Sequence, residues 1–355
     1  MPARAGERWM QGAGRRLASV AVEAGPALFG LRIALAALAA LWLAMRLQLE
    51  NPRWAAWTVM SLALPTRGQV AQKGLWRAAG TIVGLAAGLV AVACFAQSPL
   101  AMGVFLALWL AATAVIGGYL PALASYGAAL AGLTAALVVV LSAAAPLDAF
   151  ALSLERASSI ILGVICATVA SAIAEMLQGA GIPAPSLAAR PSASVIAANG
   201  FRTLVLVAAA WTIWIATAWP SGGIFVVLSV SLGLMFSTLP DADRQAWGCL
   251  WGVALGQASG LLLKYAVLTA TPAFGLLAAV LFPFLLMGGV GMTDRRTIAP
   301  AIGFNLTFLL AVAPTNPMQY DLSASLNEAV AVFGGVAFTV AGFRFVLPHR
   351  LWRLP

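Results

Sequence analysis

The groups with chemistry to offer in this chain are cations and aromatics set among apolar residues. Trp54 and Trp57 lead into a short apolar run that ends at Pro65; Arg67, Lys73 and Arg77 follow, then Gly80-Thr81. Arginine presents a planar fork that stays charged and matches a carboxylate, and an indole face suits a ring. An aromatic carboxylate needs both. Arg32 and Arg202 each open an apolar run, one in either half of the chain. They are placed to face one anion cavity together with Trp54 and Trp57, with Arg67, Lys73 and Arg77 as its cytoplasmic funnel. A helix N-terminus near Arg77, Gly80 and Thr81 would add its dipole to anion binding. The plainer readings stay open: arginines snorkelling to headgroups, cations that only mark the cytoplasmic side, and tryptophans of an interfacial belt.

Three carboxylates are candidates for proton coupling: Glu175, Glu155 beside Arg156, and Glu328. Glu328 occupies a position matching Arg156, so the two are candidates to pair. Other chemistry is missing from the pattern. The single histidine is His349, and Cys94, Cys166 and Cys249 lie far apart in apolar stretches. No grouping has metal-ligand spacing, and no P-loop or nucleophile elbow is present. The expectation is no metal, no cofactor and no enzymatic activity.

These residues sit in a chain of 355 residues that is 62% hydrophobic and 9% charged. Soluble domains carry about 25% charged residues. Apolar runs near 27–47, 54–65, 79–96, 101–118, 122–143, 157–177, 202–218, 223–239, 246–267, 273–292, 298–313 and 328–346 predict an all-α polytopic membrane protein of about twelve transmembrane helices. The run at 54–65 is short for a full crossing and reads as a broken helix. With the N-terminus inside, all of the 20 Lys and Arg except Arg46, Arg53, Arg156 and Lys264 fall on the inner side. The positive-inside rule then places both termini in the cytoplasm. The net charge of +9 speaks for anionic lipid rather than nucleic acid.

The chain divides at a Pro/Ala/Ser-rich stretch. The expected organisation is a basic arm at 1–26, a six-span repeat at 27–177, a cytoplasmic linker at 178–201, a second repeat at 202–346 and a tail at 347–355. Landmarks recur across the divide: Leu64-Pro65 and Leu239-Pro240, Trp76 and Trp251, Ser153-Leu-Glu-Arg-Ala157 and Ser325-Leu-Asn-Glu-Ala329. Six spans per half make the two repeats parallel, related by an axis along the membrane normal. Gly80, Gly84 and Gly88, and Gly248, Gly252, Gly256 and Gly260, recur every fourth residue. Such stripes allow close helix packing or a sliding interface between halves.

Residues 51–90, with Trp54 to Trp57, Pro65-Thr-Arg67-Gly68, Lys73, Arg77, Gly80-Thr81 and Gly84, resemble the fusaric acid resistance and aromatic acid exporter family. That resemblance implies export of small organic anions, often aromatic carboxylates. It also implies a periplasmic membrane-fusion adaptor as a partner. With no ATP site in the pattern, the proton gradient is the expected driving force. The chain resembles a compact, membrane-only variant of the family, and a homo-oligomer is compatible with it. An anion channel, a non-transporting subunit of an efflux assembly, and a major-facilitator-type transporter are the alternatives. A topology experiment tests the frame: reporter fusions at Ser98 and Pro146 are expected to read periplasmic and a fusion at Pro191 cytoplasmic, and the reverse pattern refutes it.

Overall fold

The computed structural model describes residues 3–143, 145–179, 191–236, 242–270 and 273–347. The middle of the expected linker, Pro240, and the tail with His349 lie outside them. Twelve α-helices follow one another: α1 (Ala3–Arg46), α2 (Arg53–Ser61), α3 (Arg67–Phe95), α4 (Pro99–Tyr119), α5 (Ala122–Leu141), α6 (Ala149–Gln178), α7 (Ala193–Thr217), α8 (Gly222–Phe236), α9 (Ala242–Leu262), α10 (Phe274–Gly291), α11 (Ile298–Val312) and α12 (Leu322–Phe345). Among the described residues there is no strand. Nine of the helices among the described residues are long and apolar enough to cross a membrane, and the chain is an all-α multi-pass membrane protein. Of the twelve expected runs, the one at 54–65 is the nine-residue α2 and the one at 298–313 the fifteen-residue α11, both shorter than the ~20 residues a straight crossing takes.

Local chemistry explains the boundaries. Pro52 stands at the start of α2, and Pro65 bars Leu64 from helical geometry, so α2 stops after little more than two turns. Thr66 then caps α3, its hydroxyl accepting from the Gln69 N–H at 3.3 Å. The expected polar hinge between Arg67 and Arg77 is therefore the first three turns of α3, continuous with the glycine-rich span. Ser98, Ser192 and Asp321 cap α4, α7 and α12 in the same manner, as short polar side chains do at helix starts. α7 begins at Ala193, inside the expected linker, and the N-terminal arm is continuous with the first span in α1.

The two halves pack alike. α3 pairs with α5 and α9 with α11; α2 packs on α6 and α8 on α12; α4 packs across onto α7 and α10 across onto α1. The glycine stripes explain the closest pairs. A methyl group on Gly80 would collide with the Gly127 carbonyl, on Gly84 with the Ala131 carbonyl, and on Gly88 with Val138. The same methyl on Gly252, Gly256 and Gly260 would meet Pro300, Thr307 and Ala311. Both stripes thus bind helices of their own half, and neither forms a sliding surface between halves. The equivalent contacts lie 172 or 173 positions apart, so Cys249, not Gly252, stands where α3 has Arg77.

Gly252→Ala is expected to destabilise the protein by about 1–3 kcal/mol, as overpacking does, with lower membrane abundance and an earlier thermal transition in detergent. Gly68→Ala, which meets nothing within 4 Å, is the matched control and is expected to leave both unchanged.

Candidate functional site

A helix that ends inside a membrane exposes its last carbonyls where no water can satisfy them. Lys73 Nζ donates to the carbonyl of Ser61, the last residue of α2, at 2.6 Å, and in the turn that follows Arg32 donates to the carbonyls of Leu64 (2.6 Å) and Pro65 (3.3 Å). Cations also suit the negative end of a helix dipole. The other short helix ends are treated alike. Arg53 reaches the Leu310 carbonyl in the last turn of α11 at 3.4 Å, and Arg202 donates to Val346 (2.8 Å) and Leu347 beyond α12 and to Asn199 Oδ1 (2.7 Å). Arg32 and Arg202 therefore lie apart, and neither lines the cavities described below. The expected pairing of these two in one anion cavity is corrected: each guanidinium is committed to main-chain carbonyls beyond a different helix end.

Arg77 is placed otherwise. It is wholly buried on α3, and its guanidinium meets side chains only: Nη1 donates to Tyr126 Oη at 2.6 Å and Nη2 to Thr58 Oγ1 at 3.1 Å, while Nε has no partner. Trp57 lies under it, 5.0 Å from the ring centroid, and Lys73 sits 4.8 Å from the ring of Tyr126. Trp57, Ser61, Lys73, Arg77 and Tyr126 wall a cavity of about 130 Å³, closed by Leu133 and Leu306 and by Asn305 from the second half. Its remaining lining is apolar, the usual make-up of a small-molecule pocket. Asn305 is itself anchored, donating to the Gly288 carbonyl at 3.1 Å.

Two further cavities continue the line. Trp57, Leu133 and Leu306 are shared with a cavity of about 40 Å³ that also touches Trp54 and Arg53. Arg53 in turn borders a vestibule of about 680 Å³ at the opposite end of the bundle, lined by Lys264, Asp321, Ser325 and Glu328 among others. Trp54 and Trp57 meet edge to face with centroids 5.5 Å apart. Lys264 stands on a π-helical turn, Leu263–Val267, a form of irregularity that recurs at functional positions; its ammonium and Tyr265 Oη both donate to Ser325 Oγ, at 3.2 and 2.8 Å.

The remaining sequence candidates fall apart. Gly80 is packing, and Thr81 is buried next to Arg77's turn with no partner for its hydroxyl. Arg67 is exposed, and its N–H donates to Glu175, which serves as a cap for α3. Glu155 accepts from the N–H of Asn51 at 2.7 Å and its Nδ2 at 3.2 Å, holding the turn before α2. The expected pair of Glu328 with Arg156 is not formed: one Glu328 oxygen and all three Arg156 nitrogens lack partners. Tyr126, Thr58, Asn305 and Arg53 were not among the sequence candidates. Their signal was available, since a polar side chain within an apolar span is costly and marks a site by default.

The sequence model of the fusaric acid resistance protein family matches residues 26–180 and, a second time, residues 177–354. An uncharacterized transporter of Gluconobacter oxydans is 35% identical over 143 residues, 39% of this chain and 19% of that protein. The p-hydroxybenzoic acid efflux pump subunit AaeB of Escherichia fergusonii is 32% identical over 154 residues, 41% of this chain and 24% of its own length. Its counterpart in Yersinia enterocolitica is 31% identical over 151 residues, 40% and 23% of the two chains. The chain thus aligns with about a quarter or less of each of these relatives. No solved structure matches it.

The capping arrangement has a measurable consequence. Arg32→Ala leaves carbonyls in the turn after α2 without a donor and is expected to cost about 1–3 kcal/mol. It should appear as a lower thermal transition in detergent, with lower abundance in the membrane.

Proposed function

The chain belongs to the fusaric acid resistance protein family, and on that footing we propose that it is a membrane efflux transporter for small organic anions, aromatic carboxylates above all. The observation that carries this reading is the cavity beneath Arg77, where a fixed cation, a second cation and an indole face meet in apolar surroundings. The carboxylate of the substrate takes the guanidinium of Arg77 and the ammonium of Lys73; the ring lies along Trp57 and the apolar wall. The low dielectric strengthens such a contact, and Arg stays charged there. The relatives described as p-hydroxybenzoic acid efflux pump subunits support the substrate class.

The three cavities in line, joined through the Trp57–Leu133–Leu306 constriction and through Arg53, support a route from one end of the bundle to the other. A route interrupted by side chains favours a transporter over an open channel. Driving force is assigned to the proton gradient, with Glu328 as the coupling group, because it lines the vestibule with an unpartnered oxygen. Glu155 and Glu175 are occupied as tethers and are weaker choices. The recurring packing supports a duplication with a pseudo-twofold axis along the membrane normal, with both termini cytoplasmic and the protein in the inner membrane beside a periplasmic membrane-fusion adaptor.

Arg77→Ala is expected to lose a buried Arg–carboxylate contact of about 2–3 kcal/mol, roughly 30- to 150-fold in apparent affinity. Export of labelled 4-hydroxybenzoate from preloaded cells measures it, normalised to membrane abundance, and Arg77→Lys should recover only part of the loss. Wild-type export by Arg77→Ala at equal abundance refutes the reading.

A further inference from the structure

One buried cation takes no part in the arrangement so far. Arg156 lies on α6 with 4% of its surface exposed, and Nε, Nη1 and Nη2 all lack a hydrogen-bond partner. An unpaired guanidinium at membrane depth is expensive, and the groups that persist there serve ion or substrate pathways. The adjacent Glu155 does not neutralise it by contact, since both its oxygens are engaged by Asn51. Ser153 and Ser159, three residues to either side on the same face of α6, are buried and present hydroxyls that also lack partners. Three groups able to donate therefore lie along one side of α6 with no hydrogen-bond acceptor among the described residues.

Their position relative to the route is specific. The Arg156 guanidinium stands 4.7 Å from the centroid of Trp54, whose ring walls the smaller cavity and meets Trp57 edge to face. Trp57 in turn carries Arg77. Two tryptophans in contact thus each bear an arginine, one at the larger cavity and one behind the smaller.

We propose that Arg156, with Ser153 and Ser159, is a second anion station that receives the substrate carboxylate from Arg77 when Trp54 turns aside. This rests on the export reading above and extends it by a named second site in the same passage. Repulsion between the two guanidiniums favours occupancy of the stations by anions.

The test is benzoate binding to the full-length protein in halide-free detergent solution, by calorimetry, alongside thermal unfolding. Wild type is expected to bind two equivalents, Arg77→Ala one, and Arg156→Leu one. Arg156→Lys is expected to keep the second equivalent about tenfold more weakly, because it retains charge without the fork. Arg156→Leu, freed of an unpaired buried charge, is expected to unfold no earlier than wild type without anion and to be stabilised less by benzoate. Two equivalents bound by Arg156→Leu would overturn the second station and leave the export reading standing. Benzoate binding to none of the proteins would overturn both. A chloride titration separates the remaining source: chloride that occupies the Arg156 site and resists displacement by benzoate overturns the hand-over.

Discussion

The need to satisfy main-chain carbonyls inside a membrane governs this molecule. α2 stops within the bundle because Pro65 stops it, and the carbonyls at its end and in the turn beyond are met by Arg32 and Lys73. That bond fixes Lys73 beside Tyr126, sets the register of α3 against α2, and so brings Arg77, one turn further along α3, over Trp57. The same solution recurs where Arg53 meets α11 and Arg202 meets the end of α12. Four cations that a count of charges would assign to topology or to ligand are thereby engaged in holding helix ends. Only after that engagement is subtracted do Arg77 and Arg156 stand out.

The halves share a packing plan but not a chemistry. Gly163 packs against Thr58 and the Ala55 carbonyl, and Gly335 against Ser229 and the Phe225 carbonyl. Asn51 is held by Glu155 as Ser221 and Trp219 are by Asn327. Yet Cys249 and Ala299 fill the places that Arg77 and Tyr126 hold in the first half, and Glu328 replaces Arg156. The first half therefore supplies the cations of the larger cavity, and the second supplies wall, an amide and an acidic vestibule. A passage with a basic inner chamber and a carboxylate near its far end polarises an anion's path.

Much of this was legible in the sequence. Apolar length gave the membrane class, and Pro52 and Pro65 the broken helix; the caps Ser98, Ser192 and Asp321, which start α4, α7 and α12 ahead of the apolar runs themselves, were not read from it. Trp54, Trp57, Lys73 and Arg77 were singled out together, and the structure gathers them. What was not legible depended on where chains end in space. Nothing in the run around Arg32 or Arg202 reveals that a carbonyl of another helix terminates within reach. The recurrence of Trp76 and Trp251 suggested an alignment three residues away from the one the glycine contacts impose, and that shift hid Cys249 opposite Arg77. Tyr126 and Asn305 carry only the general signal of a polar residue in an apolar run, with no spacing that ties them to Arg77.

The crossed packing of α4 on α7 and of α10 on α1 bears on how the molecule can work. Each half clasps the first helix of the other, so the two are interlocked like folded hands rather than stacked like plates. Rocking them apart as rigid bodies would break two extensive seams at once. α2, by contrast, is short, is pinned by side chains at its ends, and carries both tryptophans. Within the transport reading proposed above, such a frame favours movement of the small α2 latch, with its two indole rings, over rocking of the halves.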